Sequence, residues 1–103
     1  MKDVRTDRKT VTLIGGMDRL DRHYRQEAEK AGVNLKIFTR FEGNMDAKLL
    51  HSDALILFTN KISHQARNKV LCLAKAQNIQ LFMFHTCGVC TLRECLDAHF
   101  PRN

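Results

Sequence analysis

Four short apolar runs, separated by segments of helical period, constrain this chain more than any other feature. They are TVTLIG (Thr10–Gly15), VNLKIFT (Val33–Thr39), DALILFT (Asp53–Thr59) and IQLFMF (Ile79–Phe84). Each is rich in β-branched, aliphatic or aromatic residues and flanked by Gly, Asn or Ser, as strands are. DALILFT is apolar almost throughout, which is the pattern of a strand covered on both faces at the centre of a sheet. VNLKIFT alternates instead, with one wetter face.

The intervening segments read as helices. From Asp18 onward Leu20, Tyr24, Ala28 and Ala31 recur at helical spacing, and Gly32 is a natural stop. EGN then predicts a turn and MDAKLLH a short helix. Ser63 predicts an N-cap for a helix running to about Gln77, with Ala66, Val70, Leu73 and Ala74 inward. TLRECLDAHF predicts a closing helix capped by Thr91.

The order β-α-β-(α)-β-α-β-α implies a parallel sheet with right-handed crossovers. The expected fold is a small doubly wound, three-layer α/β domain of the Rossmann-like kind. Its four-stranded parallel sheet should run in the order 2-1-3-4. The chain has 103 residues, which suits one domain over residues 10–103 behind a basic tail at residues 1–9. A chain this short leaves about a third of its unfolded-state surface exposed, so oligomerisation would help it.

The chain opens on MKDVRTDRKT, which has no apolar leader behind it. No apolar run approaches the roughly 20 residues that cross a bilayer, so no membrane partner is expected. A cytoplasmic location follows, and there thiols stay reduced. The four cysteines then read as free thiols, metal ligands or redox groups rather than a disulfide framework. The net charge of +6 favours an anionic small ligand or cofactor, or nucleic acid. Six Phe and one Tyr with no Trp give no stacking platform for single strands, and the basic residues are scattered. Nucleic acid therefore rests on the tail, with Lys2, Arg5, Arg8 and Lys9.

In a doubly wound sheet, ligands sit beyond the carboxyl ends of the strands, near the point where strand order reverses. Three loops leave that rim: GGMDR, TNKISH and HTCGVC. Gly15 and Gly16 would let backbone N–H groups approach an anion. They lack the spacing of dinucleotide folds and the G-K-[ST] of a P-loop, and a tight turn explains them as well.

In TNKISH, Ser63 is accounted for as a cap. His64 falls opposite the core stripe of its helix, beside Asn68, Leu71, Cys72 and Lys75, a mixture suited to contact rather than to solvent. His64 and Cys72 stand about 12 Å apart along the axis. Both cannot ligate one mononuclear metal, whose bonds are about 2.0–2.3 Å long. Both could touch a planar cofactor such as haem, or line a dimer seam.

HTCGVCTLREC carries the remaining chemistry. Cys87 and Cys90 at a helix start form a candidate dithiol, with Cys87 as nucleophile and Cys90 as resolving thiol. Thioredoxin-like motifs follow an early strand, however, and here a single helix remains. His85, Cys87, Cys90 and Cys95, with His99 as a further candidate, form a possible metal set for zinc or iron. Three thiolates with an external ligand would also suit an iron–sulfur cluster. The simpler reading of Cys95 is a buried residue on the helix's core face. Cys90 is followed by Thr91, so covalent c-type haem attachment is excluded.

LIGG with YR nine or ten positions on, SDALIL entering the third strand, and SH followed by K and C in the next helix resemble a bacterial family. It is the domain of unknown function 2325, and the resemblance spans about Thr10 to Leu96. It implies a small, dimeric α/β protein in which Gly15, Gly16, Ser63, His64 and Cys72 match the family pattern. The chain departs from that pattern after the fourth strand, where HTCGVC replaces an expected arginine and serines. The resemblance therefore favours His64 and Cys72 over Cys87 and Cys90 as a shared site.

These readings converge on a small ligand-binding or sensing module holding a metal-containing cofactor, haem or a Cys/His metal site, at the carboxyl rim. No Ser-His-Asp constellation or carboxylate pair argues for hydrolysis. A thiol–disulfide oxidoreductase using Cys87 and Cys90, and a basic nucleic-acid-associated regulator, are the alternatives.

Overall fold

The structure, a computed structural model, describes residues 9–39 and 46–100. The expected turn at residues 42–44 and all but Lys9 of the basic tail lie outside the described residues. Four strands, β1 (Thr10–Ile14), β2 (Asn34–Phe38), β3 (Ala54–Phe58) and β4 (Gln80–Phe84), form one sheet in the order β2-β1-β3-β4. All three pairings are parallel. The helices are α1 (Asp21–Ala31), α2 (Asp46–Leu49), α3 (His64–Gln77) and α4 (Val89–His99). Single 3-10 turns stand at Asp18–Leu20 and Thr59–Lys61.

Alternation along β1 decides which helix packs where. Val11 and Leu13 join Tyr24 and Ala28 of α1, Ile56 and Phe58 of β3, and Leu92, Cys95 and Leu96 of α4 in one buried cluster. Ile14 turns the other way and joins Leu49 of α2, Leu55 and Leu57 of β3, and Val70 and Ala74 of α3 in a second. The sheet thus separates an α1/α4 layer from an α2/α3 layer. All five residues of β3 are buried, as its unbroken apolar run requires. The side chains of Thr12 and Ser52 are buried and hydrogen-bond to each other, which satisfies both hydroxyls within the core.

Helix ends follow local chemistry. Gly32 closes α1 at φ 76°, its N–H reaching the carbonyls of Ala28 and Glu29. Asn78 closes α3 in the same left-handed conformation, at φ 57°. Ser63 Oγ accepts from the N–H of Ala66 and caps α3 as the sequence predicts.

The start of α4 differs from expectation. The helix begins at Val89, with Gly88 rather than Thr91 in the cap position and no side-chain cap bond. Cys87 and Leu92 occupy the positions just before the cap and four residues after it, and both lie in the α1/α4 cluster. That hydrophobic staple fixes the entry of the chain. Thr91 sits inside the first turn, its hydroxyl 2.8 Å from that of Thr86. No helix among the described residues is long and apolar enough to cross a membrane.

Candidate functional site

The three rim loops meet where the sequence places them, and Cys87 is their junction. Tyr24 is fully buried in α1, and its hydroxyl donates to the carbonyl of Cys87 at 2.6 Å. The same oxygen accepts the N–H of Met17 at 3.1 Å, tying the loop after β1 to the loop after β4. Burial holds the Tyr24 phenol above its usual range. Asn60 donates from Nδ2 to the Cys87 sulfur at 3.7 Å, and Thr59 Oγ1 donates to the carbonyl of Phe84 at 3.5 Å. The loop after β3 is thereby joined to the same point.

The glycine pair has a packing role. Gly15 stands at φ 91°, and a Cβ there would fall into hard contact with the carbonyl oxygen of Phe58. A Cβ on Gly16 would lie 2.9 Å from the Tyr24 ring. Backbone and ring close over these two residues, so the turn requires glycine whatever it binds.

The three C-terminal cysteines face different ways. Cys87 is 8 % exposed and packs inward as part of the staple. Cys90, two positions before Leu92, points about 200° away from it on a helix of 3.6 residues per turn, and is exposed. Cys95 is 3 % exposed on the core face, as its simpler reading holds, and burial pushes its thiol up to about 11. His85 is exposed, and His99 stacks on Phe82 with ring centroids 4.1 Å apart. Among the described residues no group of three or more His, Cys, Asp or Glu gathers as a metal site. His85, Cys87, Cys90 and Cys95 are therefore not brought together as one ligand set. Helical register is the reason, since it sends Cys95 inward and Cys90 outward.

The other predicted pair lies across the sheet. His64 is the first residue of α3 and exposed, with no hydrogen bond or ion pair among the described residues. Cys72 is exposed further along the same outward face, with Asn68 and Lys75, while Leu71 is half-buried at its edge. Arg67, one turn after His64, keeps a buried Nε with no hydrogen-bond partner among the described residues. Met83 pairs in register with Leu57 of the α3-side cluster, so it projects on the α3 side, where it is 43 % exposed.

One charged group escaped the sequence reading. Glu27 of α1 is only 8 % exposed and receives Arg93 Nε at 3.2 Å and Nη2 at 3.4 Å, with Lys30 Nζ at 3.6 Å. The Arg93 guanidinium, foremost, holds its carboxyl below the usual range. These residues line an α1/α4 cavity of about 310 Å³ with Ala31, Leu96 and Phe100. The signal was present, since Glu27 stands three residues after Tyr24 on the apolar stripe of α1.

A family model described as "Uncharacterized protein conserved in bacteria (DUF2325)" matches residues 10–99. No curated protein matches the chain. Among solved structures, a de novo designed Rossmann fold protein superposes with a TM-score of 0.60 at 14 % identity, covering 91 % of this chain and 98 % of that one. The lactose-specific IIB component domain of the phosphoenolpyruvate:carbohydrate phosphotransferase system from Streptococcus pneumoniae superposes with a TM-score of 0.52 at 16 % identity. It covers 84 % of this chain and 85 % of that one. At such identities the likeness is one of fold.

Proposed function

The chain belongs to the family described as uncharacterized protein conserved in bacteria (DUF2325), and we propose that it is a small ligand-binding or sensing module. Its ligand is a planar, iron-containing cofactor of the haem type, held against the outer face of α3 with His64 as the side-chain ligand. The observation that carries this reading is His64 itself: an exposed imidazole at the carboxyl rim with no side-chain partner among the described residues. A closed zinc site needs four protein ligands, and no three gather among the described residues. A haem iron needs as few as one.

The surroundings of His64 support the same class of ligand. Among the described residues Arg67 Nε is a buried donor without a partner, and a carboxylate reaching it would remove the cost of leaving it unpaired. Leu71, half-buried at the edge of the outer face of α3, supplies apolar surface beside it. Bound haem would supply an iron centre for a diatomic gas or a change of redox state.

The test is a haem titration of the purified full chain, followed by absorption spectroscopy. A saturable Soret shift that His64→Ala removes and Cys87→Ser retains is the expected result. No saturable shift, or one indifferent to His64→Ala, overturns the reading.

One observation favours a second reading, the thiol oxidoreductase. Asn60 Nδ2 donates to the Cys87 sulfur where the three rim loops meet, which places that thiol at the carboxyl rim with a polar partner. Its opponent is the outward Cys90, which a Cys87–Cys90 disulfide would require to turn back. Mass spectrometry after treatment with a small-molecule disulfide separates the cases: an intramolecular Cys87–Cys90 bond supports the dithiol, and mixed disulfides confined to Cys72 and Cys90 count against it.

A further inference from the structure

The two edges of the sheet are built differently. β2 carries Lys36 at its centre, exposed, between half-buried Leu35 and Ile37. Two copies of β2 meeting about a two-fold axis at that residue would set Lys36 against the partner's Lys36, and charges of this kind are how natural sheets blunt an edge. β4 has no such guard. Its five residues, Gln80, Leu81, Phe82, Met83 and Phe84, include no charge, proline or glycine. Among the described residues β4 pairs only with β3. Gln80 and Met83 are exposed and the other three residues half-buried, whereas β3 is buried throughout.

We propose that two copies of this chain associate through β4, edge to edge and antiparallel about a two-fold axis at Phe82, joining their four-stranded sheets into one. The strand is complementary to itself in this register. Leu81 falls opposite the partner's Met83, and Gln80 opposite the partner's Phe84, so no charge meets a charge. That matters in a chain of net charge +6, whose copies repel except where the surface is neutral. The pairing covers Met83, one of two large hydrophobic residues that the described structure leaves exposed. An isologous contact of this kind closes at two copies and leaves the guarded β2 edges outermost.

The association does not depend on a cofactor, so its test uses the full chain without one. Sedimentation velocity over a micromolar dilution series should show a dimer. Met83→Lys, which places a charge opposite the partner's Leu81, should raise the dissociation constant by about tenfold or more, equivalent to about 1.4 kcal/mol. Lys36→Gln on the other edge should leave it unchanged. Met83 is exposed, so the variant should keep its far-ultraviolet circular dichroism. A wild-type chain that stays monomeric, or a dimer indifferent to Met83→Lys, overturns the proposal. Hydrogen exchange on the wild type gives a second measure that needs no variant. The β4 amides not bonded to β3 should slow as concentration rises, and amides that exchange at one rate throughout count against edge pairing.

Discussion

The hydroxyl of Tyr24 donates to the carbonyl of Cys87 at 2.6 Å, across 63 positions of sequence. It also receives the N–H of Met17, so one side-chain oxygen holds both the first and the last rim loop. The ring fills the core beside Phe58, with centroids 6.2 Å apart, while the polar tip satisfies backbone that would otherwise be buried unpaired.

Tyr24→Phe keeps the ring and removes the oxygen. The Cys87 carbonyl and Met17 N–H lose their partner, which should cost about 1–3 kcal/mol. Urea denaturation measures the loss. Hydrogen exchange should show faster opening at Thr86–Gly88 than in β3. A variant as stable as the parent would show that water replaces the hydroxyl without penalty.

Gly15 and Gly88 should respond oppositely to substitution. Gly15→Ala meets both a positive φ and the Phe58 carbonyl, and should cost about 2 kcal/mol or more. Gly88 has extended backbone and open space where a Cβ would go. Gly88→Ser supplies the missing cap oxygen for α4 and should stabilise by a few tenths of a kcal/mol. Thermal unfolding of the two variants side by side is the check.

Glu27 makes stability depend on acid pH. Its carboxyl titrates lower in the folded chain than in the unfolded one, chiefly because Arg93 donates to it. The contribution is therefore complete above the unfolded value of about 4.3 and is lost as pH falls through the folded value. Arg93 is 49 % exposed, so solvent screening keeps the effect small. Glu27→Gln should flatten the fall in stability below about pH 4. An unchanged acid limb in chemical denaturation would show that the pair contributes nothing measurable.

Cys95 acts at the other end of the scale. Its thiol is raised to about 11 by burial, so the folded chain holds that proton after the unfolded chain, near 8.5, has released it. Stability should be unaffected below pH 8.5 and fall between about 8.5 and 11, and Cys95→Ala should lessen that fall. Thiol labelling at neutral pH should reach Cys72 and Cys90 first and Cys87 and Cys95 only on opening. Prompt labelling of Cys95 would contradict its place in the core.

The topology was legible because each strand announces its own environment. DALILFT, apolar almost throughout, read as central, and VNLKIFT read as a strand with one wetter face. Helix faces were legible from their period, and the simpler reading of Cys95 as a core residue rested on the usual burial of free cysteine. Two things escaped. The start of α4 is set by contact between Cys87 and Leu92, which no cap residue signals. The buried Glu27 depends on Arg93, brought close only when α4 folds back over α1. Cys90 and Cys95 looked like parts of one set because they are close in sequence, but helical register turns one outward and the other inward.

The segment from Thr59 to Ser63 crosses from one side of the sheet to the other. On one side Asn60 touches the Cys87 sulfur, and on the other Ser63 caps the helix that begins at His64. The two layers of the core otherwise have separate buried clusters, insulated from each other by the strands. These five residues therefore connect the loop that reaches the Cys87 sulfur to the first turn of α3. One short stretch across the top of the sheet thus has an imidazole at one end and a sulfur at the other.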